Sequence, residues 1–138
     1  MTYDPSNIFA KILRGEIPCH KICEDEHTLA FMDVMPKVDG HCLVIPKVGS
    51  RNLLDAKTSV FTPLMTAVQR VATAAKIAFN ADGVQIRQYN EQAAGQTVFH
   101  LHIHILPIKG GQLIRPHAGQ MADHGLLAKQ AEMIKAAL

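Results

Sequence analysis

Three histidines in strict alternation, His100-Leu101-His102-Ile103-His104, are the residues of this sequence best suited to chemistry. A strand turns successive side chains to opposite faces, so the three imidazoles are expected on one face and Leu101, Ile103 and Ile105 on the other. Imidazoles placed side by side compete for protons near neutral pH and suit a sheet face poorly unless something binds there. Three readings follow. The first is a solvated or hydrogen-bonded strand face. The second is a metal site, because histidines at i and i+2 on a strand reach one ion. No Cys-x-x-Cys or His-Glu-x-x-His accompanies the triplet, so no metal ligand set and no cofactor is assigned. The third is attack on phosphorus, in which a neutral imidazole nitrogen forms a labile P–N bond and divides one displacement into two. That route needs donors for the phosphoryl oxygens, a partner that fixes the tautomer of the attacking ring, and a proton for the leaving atom. The polar turn Gly95-Gln96-Thr97 just upstream can supply some of these parts.

The elements that must position these groups are legible in outline. Asp4-Pro5-Ser6 opens a short helix with Ile8, Phe9, Ile12 and Leu13 at helical spacing, ended by Gly15. Lys21 to Glu24, Thr28 to Val34 and His41 to Pro46 read as strands, separated by Asp25-Glu26-His27 and by Pro36 with Gly40. Val60, Leu64, Val68, Val71, Ala75 and Phe79 describe an amphipathic helix from Thr58 to about Asn80 that must lie on the sheet. Gly83 to Asn90 and Val98 to Pro107 alternate with period two, joined by the small-residue loop Glu91 to Gly95. Hairpins predominate, so an antiparallel sheet in an α+β fold is expected. A last helix can form from about Leu126, while Gly110 to Gly125 shows no period.

Composition narrows the classes. At 138 residues, 48% apolar and 19% charged, the chain reads as one globular domain, 1–138. A formal charge of +2 with scattered basic residues disfavours nucleic acid. The odd number of cysteines, Cys19, Cys23 and Cys42, suits reduced thiols in the cytoplasm. No apolar run approaches the ~18 residues of a membrane span, and Met1 to Ser6 lacks the order of a signal peptide. A soluble, cytoplasmic protein with no membrane partner is expected.

The triplet also has a familiar setting. His100 to Leu106 resembles the His-φ-His-φ-His-φ-φ signature (φ apolar) of the histidine-triad family, and Asn90 to Phe99 resembles its approach. The likeness includes Asn7 to Ile12, Gly15 to Pro18, Ala30 to Asp33 with Pro36, and Gly40 to Lys47. It spans about 7–107 and leaves 108–138 as a C-terminal extension. The resemblance is to the Hint branch, and it implies a five-stranded antiparallel sheet with one long and one short helix, in a homodimer with a continuous ten-stranded sheet.

It also implies roles. His102 matches the family nucleophile, and His100, His104 and His41 match the residues that orient it and contact phosphate. Gln96 and Thr97 sit at phosphate and leaving-group positions. Asp33 matches the ribose-binding carboxylate, with Asn90 beside the same nucleotide, and Ile8, Phe9, Ile12, Phe31 and Val34 match the walls around the base. The Cys-x-x-Cys that holds a structural zinc in many bacterial relatives is replaced by Asn7 and Ala10. His104 stands where the nucleotidyl-transferase branch has glutamine, which favours hydrolysis. Ile108 to Gly111 departs from the animal Hint proteins and leaves leaving-group selectivity open. The implied activity is hydrolysis of a bond to the α-phosphate of a purine nucleotide such as an adenosine phosphoramidate, through a nucleotidyl-histidine. The rivals are a Fhit-type dinucleoside polyphosphate hydrolase and a nucleotide-binding or protein-interaction module with incidental catalysis.

Overall fold

A computed structural model describes residues 2–116 and 120–138. The elements are α1 (Ile8–Leu13), β1 (Lys21–Glu24), β2 (Thr28–Met32), β3 (Cys42–Pro46), α2 (Phe61–Ala78), β4 (Gly83–Arg87), β5 (Ile103–Ile108) and α3 (His124–Ala137). Short 3-10 turns occupy Leu53–Asp55, Thr58–Val60 and Gln92–Ala94. The strands form a five-stranded sheet in the order β1-β2-β3-β5-β4, antiparallel throughout.

Strand alternation divides the sheet into two faces with different tasks. Ala30, Met32, Cys42, Val44, Ile103 and Ile105 join the α2 residues Leu64, Val68 and Val71 and the α3 residues Leu127 and Ile134 in the larger core. Each fully buried aliphatic side chain there contributes about 1.5–3 kcal/mol. Leu29, Phe31, Leu43 and Ile45 face the other way, where Phe9 of α1 joins them. His104 pairs with Leu43 across β3 and β5, which places it on this second face. α1 is started by Asn7, whose side chain accepts from the Ala10 N–H at 2.9 Å.

Several expected boundaries move, each for a local reason. β5 starts at Ile103 rather than Val98, so His100 and His102 precede the strand. The His100 carbonyl accepts from the His102 side chain, and β3 ends opposite at Pro46, which has no N–H to offer. Leu101 nevertheless stays buried in the same core as Ile103 and Ile105, so the alternation persists without the ladder. β2 stops at Met32 because the Asp33 carboxylate takes the Met35 N–H at 2.8 Å and turns the chain. β3 begins at Cys42 rather than His41. β4 stops at Arg87, and Gln88 and Asn90 bond to each other through their amides. α3 starts at His124 with Asp123 as its cap, and it packs against α2 and β1 as a third helix. Residues 112–116 and 120–123 form no helix or strand.

Gly40 joins the sheet to the site. Its φ of 85° lies in the left-handed region, and a Cβ there would meet the Phe79 ring at 2.7 Å and Pro107 at 2.8 Å. Its N–H donates to Gln130 of α3 at 3.2 Å. Gly40→Ala is expected to cost roughly 2–4 kcal/mol, from the left-handed backbone and the overpacked contact, read by urea denaturation. A loss below about 0.5 kcal/mol would show that the contact relaxes freely.

Candidate active site

The tautomers of the buried imidazoles follow from groups that can only donate or only accept. The Lys37 N–H donates to His41 Nδ1 at 3.0 Å, so the proton of a neutral His41 sits on Nε2. His41 Nε2 lies 2.9 Å from His104 Nδ1 and donates to it, which leaves the proton of His104 on Nε2. His102 runs the other way. Its Nδ1 lies 2.6 Å from the His100 carbonyl, which only accepts, so the lone pair of His102 is on Nε2. His100 donates from Nε2 to the Pro46 carbonyl at 2.8 Å, and burial pushes its pKa below the ordinary imidazole value. The structure thus brings an imidazole lone pair and an imidazole N–H to adjacent rings, His102 and His104, with centroids 5.0 Å apart.

These rings form the polar end of an open cleft of about 730 Å³ that runs beneath α1. Ile8, Phe9, Ile12, Phe31 and Val34 line its apolar part, and Asp33, Thr97, His102 and His104 line its polar part. Phe9 packs edge-on against His102 with centroids 4.9 Å apart, so the His102 ring is fixed between an aromatic wall and His104. Asp33 is drawn to His41 by a backbone bond from its N–H to the His41 carbonyl at 3.1 Å. Its Oδ2 then lies 3.4 Å from His41 Nε2.

Ile17, Pro18, Cys19, Met32, Met35, Leu43 and Val98 complete the cleft wall and were not expected from sequence. Leu43 could have been found by alternation with Phe31 on the neighbouring strand. Cys19 and Pro18 carry no periodic signal. Burial raises the Cys19 thiol above its usual pKa, so it lines the cleft as a neutral group.

Four expected site residues lie outside the cleft lining: His41 and His100, whose bonds to the neighbouring rings and backbone are given above, and Asn90 and Gln96. Asn90 accepts the Leu53 N–H at 3.0 Å and pairs with Gln88. Gln96 is 1% exposed, and its amide is fully engaged. Its Oε1 accepts from Asn52 Nδ2 at 3.1 Å and from the Glu91 N–H at 2.8 Å. Its Nε2 donates to the carbonyls of Arg51 at 2.7 Å and Val98 at 3.0 Å. Gln96 is therefore a strut of the loop that carries Thr97. That loop needs one, because Glu91 has φ 75° and ψ 157°, a conformation costing on the order of 1–3 kcal/mol for a residue with a Cβ. Arg51 meets the Glu91 carboxylate at 2.8 and 2.9 Å, and Asn52 Nδ2 meets it at 2.6 Å. These bonds hold the Glu91 carboxyl below the usual carboxylate range, the Arg51 contact contributing most.

Among the described residues one set of three could meet a cation: Asp33, His41 and His104, whose donor atoms lie within 4.8 Å of one another. Among the described residues, the positions where relatives carry a Cys-x-x-Cys do not fit a four-ligand structural zinc. The Asn7 side chain is committed to the α1 cap, Ala10 has no donor, and the line between His41 and His104 already carries a proton.

Gln96→Ala would leave the Glu91 N–H and the Arg51 and Val98 carbonyls without this partner. The expected cost is roughly 2–3 kcal/mol in stability, seen as a lowered midpoint in urea. An unchanged midpoint would mean that water replaces the amide at no cost.

The model of the HIT domain matches residues 14–111 of this chain. A solved structure of a Hit-like protein from Bartonella henselae, described as bound to an unknown ligand, superposes with a TM-score of 0.95 at 48% identity over all of both chains. "Protein hit" of Bacillus subtilis is 41% identical over 75% of this chain and 71% of that protein. An adenosine 5'-monophosphoramidase of Saccharomyces cerevisiae is 37% identical over 77% of this chain and 65% of that enzyme. The buried imidazole pair, the cleft beside it and the matched sequence agree, and the chain belongs to the histidine-triad (HIT) family.

Proposed function

We propose that this protein binds a purine nucleoside monophosphate moiety and hydrolyses the bond from its α-phosphorus to a leaving nitrogen, through a nucleotidyl group held on His102. The single observation that carries this reading is the opposed pair of tautomers, a lone pair on His102 Nε2 beside an N–H on His104 Nε2, at the polar end of an apolar cleft. The activity named for the yeast relative supports the choice of a phosphoramidate.

In the first step His102 Nε2 attacks phosphorus, the P–N(His102) bond forms and the bond to the leaving nitrogen breaks. The leaving nitrogen departs with its electron pair and takes up a proton. The N–H of His104 and the Thr97 hydroxyl meet the phosphoryl oxygens as charge builds there. The His100 carbonyl stabilises the positive charge that His102 gains, through the Nδ1–H bond. In the second step water attacks phosphorus and the P–N(His102) bond breaks. The monophosphate leaves, the lone pair returns to Nε2, and the proton lost by water balances the one taken by the leaving amine. The apolar walls hold the base, and Asp33 accepts from the ribose hydroxyls.

Two further parts belong to the same proposal. β4 is an edge strand, and pairing it with β4 of a second copy would continue the sheet to ten strands. A monomer in sedimentation equilibrium at micromolar concentration would remove that part. Cytoplasmic location suits the three cysteines, which remain free thiols. A fluorescent fusion found outside the cytoplasm would contradict it.

The experiment sets an adenosine phosphoramidate against a diadenosine polyphosphate, with the native protein and with His102→Ala. Faster cleavage of the phosphoramidate is expected, with His102→Ala inactive but still binding monophosphate by calorimetry. A neutral quench with mass spectrometry should locate the nucleotidyl adduct on His102, and a chiral phosphorothioate should react with net retention. Preference for the dinucleotide would favour the Fhit-type reading, whereas inversion, or an adduct on another histidine, would sink the mechanism.

Asp33→Asn is expected to weaken binding of ribonucleotides by about tenfold and of deoxyribonucleotides much less, since a carboxylate accepts from both ribose hydroxyls. Isothermal titration of the two nucleotide types reads this, and equal weakening would count against the ribose contact.

A further inference from the structure

The first histidine of the triplet is held by a residue outside every motif discussed so far. Tyr3 lies ahead of α1, and its hydroxyl is 2.7 Å from His100 Nδ1. His100 Nε2 is already committed as donor to the Pro46 carbonyl, so Nδ1 carries the lone pair and the Tyr3 O–H donates to it. The two rings also meet edge to face, with centroids 5.7 Å apart. Behind Tyr3 stands Gly49, where a Cβ would come within 2.7 Å of the phenol ring. The ring therefore depends on the missing side chain at position 49 for its place.

What this clamp governs is the backbone of His100. The segment from Val98 to His102 is outside the sheet ladder, and Leu101 is tied by its N–H to the Ser50 carbonyl at 2.9 Å. With both ring nitrogens bonded, the His100 side chain anchors its own peptide group. The carbonyl of that peptide group receives His102 Nδ1–H at 2.6 Å. We propose that Tyr3 is a positioning residue: its hydroxyl fixes His100, the His100 carbonyl fixes the His102 ring, and the His102 Nε2 lone pair is thereby aimed at phosphorus. This rests on the reading of His102 as the nucleophile.

Tyr3→Phe removes the donor and keeps the ring, so the packing against Gly49 survives. The test uses the full chain and an adenosine phosphoramidate. Tyr3→Phe is expected to lower kcat about tenfold, the worth of one hydrogen bond, with KM and the affinity for monophosphate unchanged. In the same variant the proton NMR signal of His102 Nδ1–H should broaden through faster exchange with water. Gly49→Ala, which displaces the phenol, should show the same loss, and the double variant should add little to it because the two act through one contact.

His102→Ala is run beside them. If it is inactive while Tyr3→Phe keeps native kcat and an unchanged His102 signal, the positioning role is overturned and the nucleophile stands. If His102→Ala retains activity, the nucleophile assignment fails and takes the Tyr3 proposal with it. A Tyr3→Phe loss that appears in KM and thermal stability, with kcat and the NMR signal intact, would reduce Tyr3 to a structural contact and overturn the proposal.

Discussion

A backbone N–H can only donate, and the one on Lys37 decides the protonation of two buried imidazoles. It forces His41 to accept on Nδ1, and His41 then donates to His104, which is left with a proton to present. His41 is fully buried and His104 nearly so, and Asp33 Oδ2 lies 3.4 Å from His41 Nε2 and 3.9 Å from His104 Nδ1, so both rings depend on protein partners. His102 is set separately and with the opposite polarity, by the His100 backbone carbonyl, which can only accept and so holds the proton of His102 on Nδ1. His102 and His104 are neighbouring rings, one offering a lone pair and the other a donor. The lone pair on His102 Nε2 is set by a backbone carbonyl alone.

The sheet makes that arrangement durable by separating its faces. The face under α2 and α3 is filled by aliphatic side chains, and it supplies the stability that lets the opposite face hold a cleft beneath α1. The second face has a smaller cluster, in which Phe9 and Phe31 pack edge to face with centroids 5.4 Å apart. Phe9 also touches the His102 ring, so the same aromatic group closes the apolar wall and restrains that ring. The loop through Glu91 is strained, and it is held by Arg51, Asn52 and Gln96. Its strain is confined to the segment that delivers Thr97 to the cleft, as expected where geometry at a site outranks local comfort.

Gln96 and Asn90, which lie outside the cleft lining, share a feature. Gln96 lies next to Thr97 in a polar turn, and nothing local distinguishes a glutamine that meets a ligand from one that braces a loop. Its partners Asn52 and Arg51 are more than forty residues away, with separations of 44 and 45. Asn90 likewise finds the Leu53 N–H at a separation of 37. The alternation of Leu101, Ile103 and Ile105 was legible because burial on one side of an extended chain has a period of two whether or not a ladder forms. The first residue of β5 was not legible, because it depends on what stands opposite. There the partner strand reaches a proline, and a side chain claims the carbonyl that a ladder would have used.

By itself the sequence determined the two faces of the central segment, the long helix with Leu64, Val68 and Val71 inward, the order of most strands, and the family through its ordered motifs. These are local periodicities and local spacings, and they survive any rearrangement of the rest of the chain. The tertiary structure decided which nitrogen of each imidazole carries the proton, that the Gln96 amide braces its own loop, that Cys19 and Leu43 line the cleft, and that Tyr3 reaches His100 across 97 positions. A proton's place on an imidazole is set by the nearest obligatory donor or acceptor, and those groups are backbone N–H and C=O groups whose directions the fold decides. They have no side-chain identity for a sequence to display, so only the folded chain could reveal them.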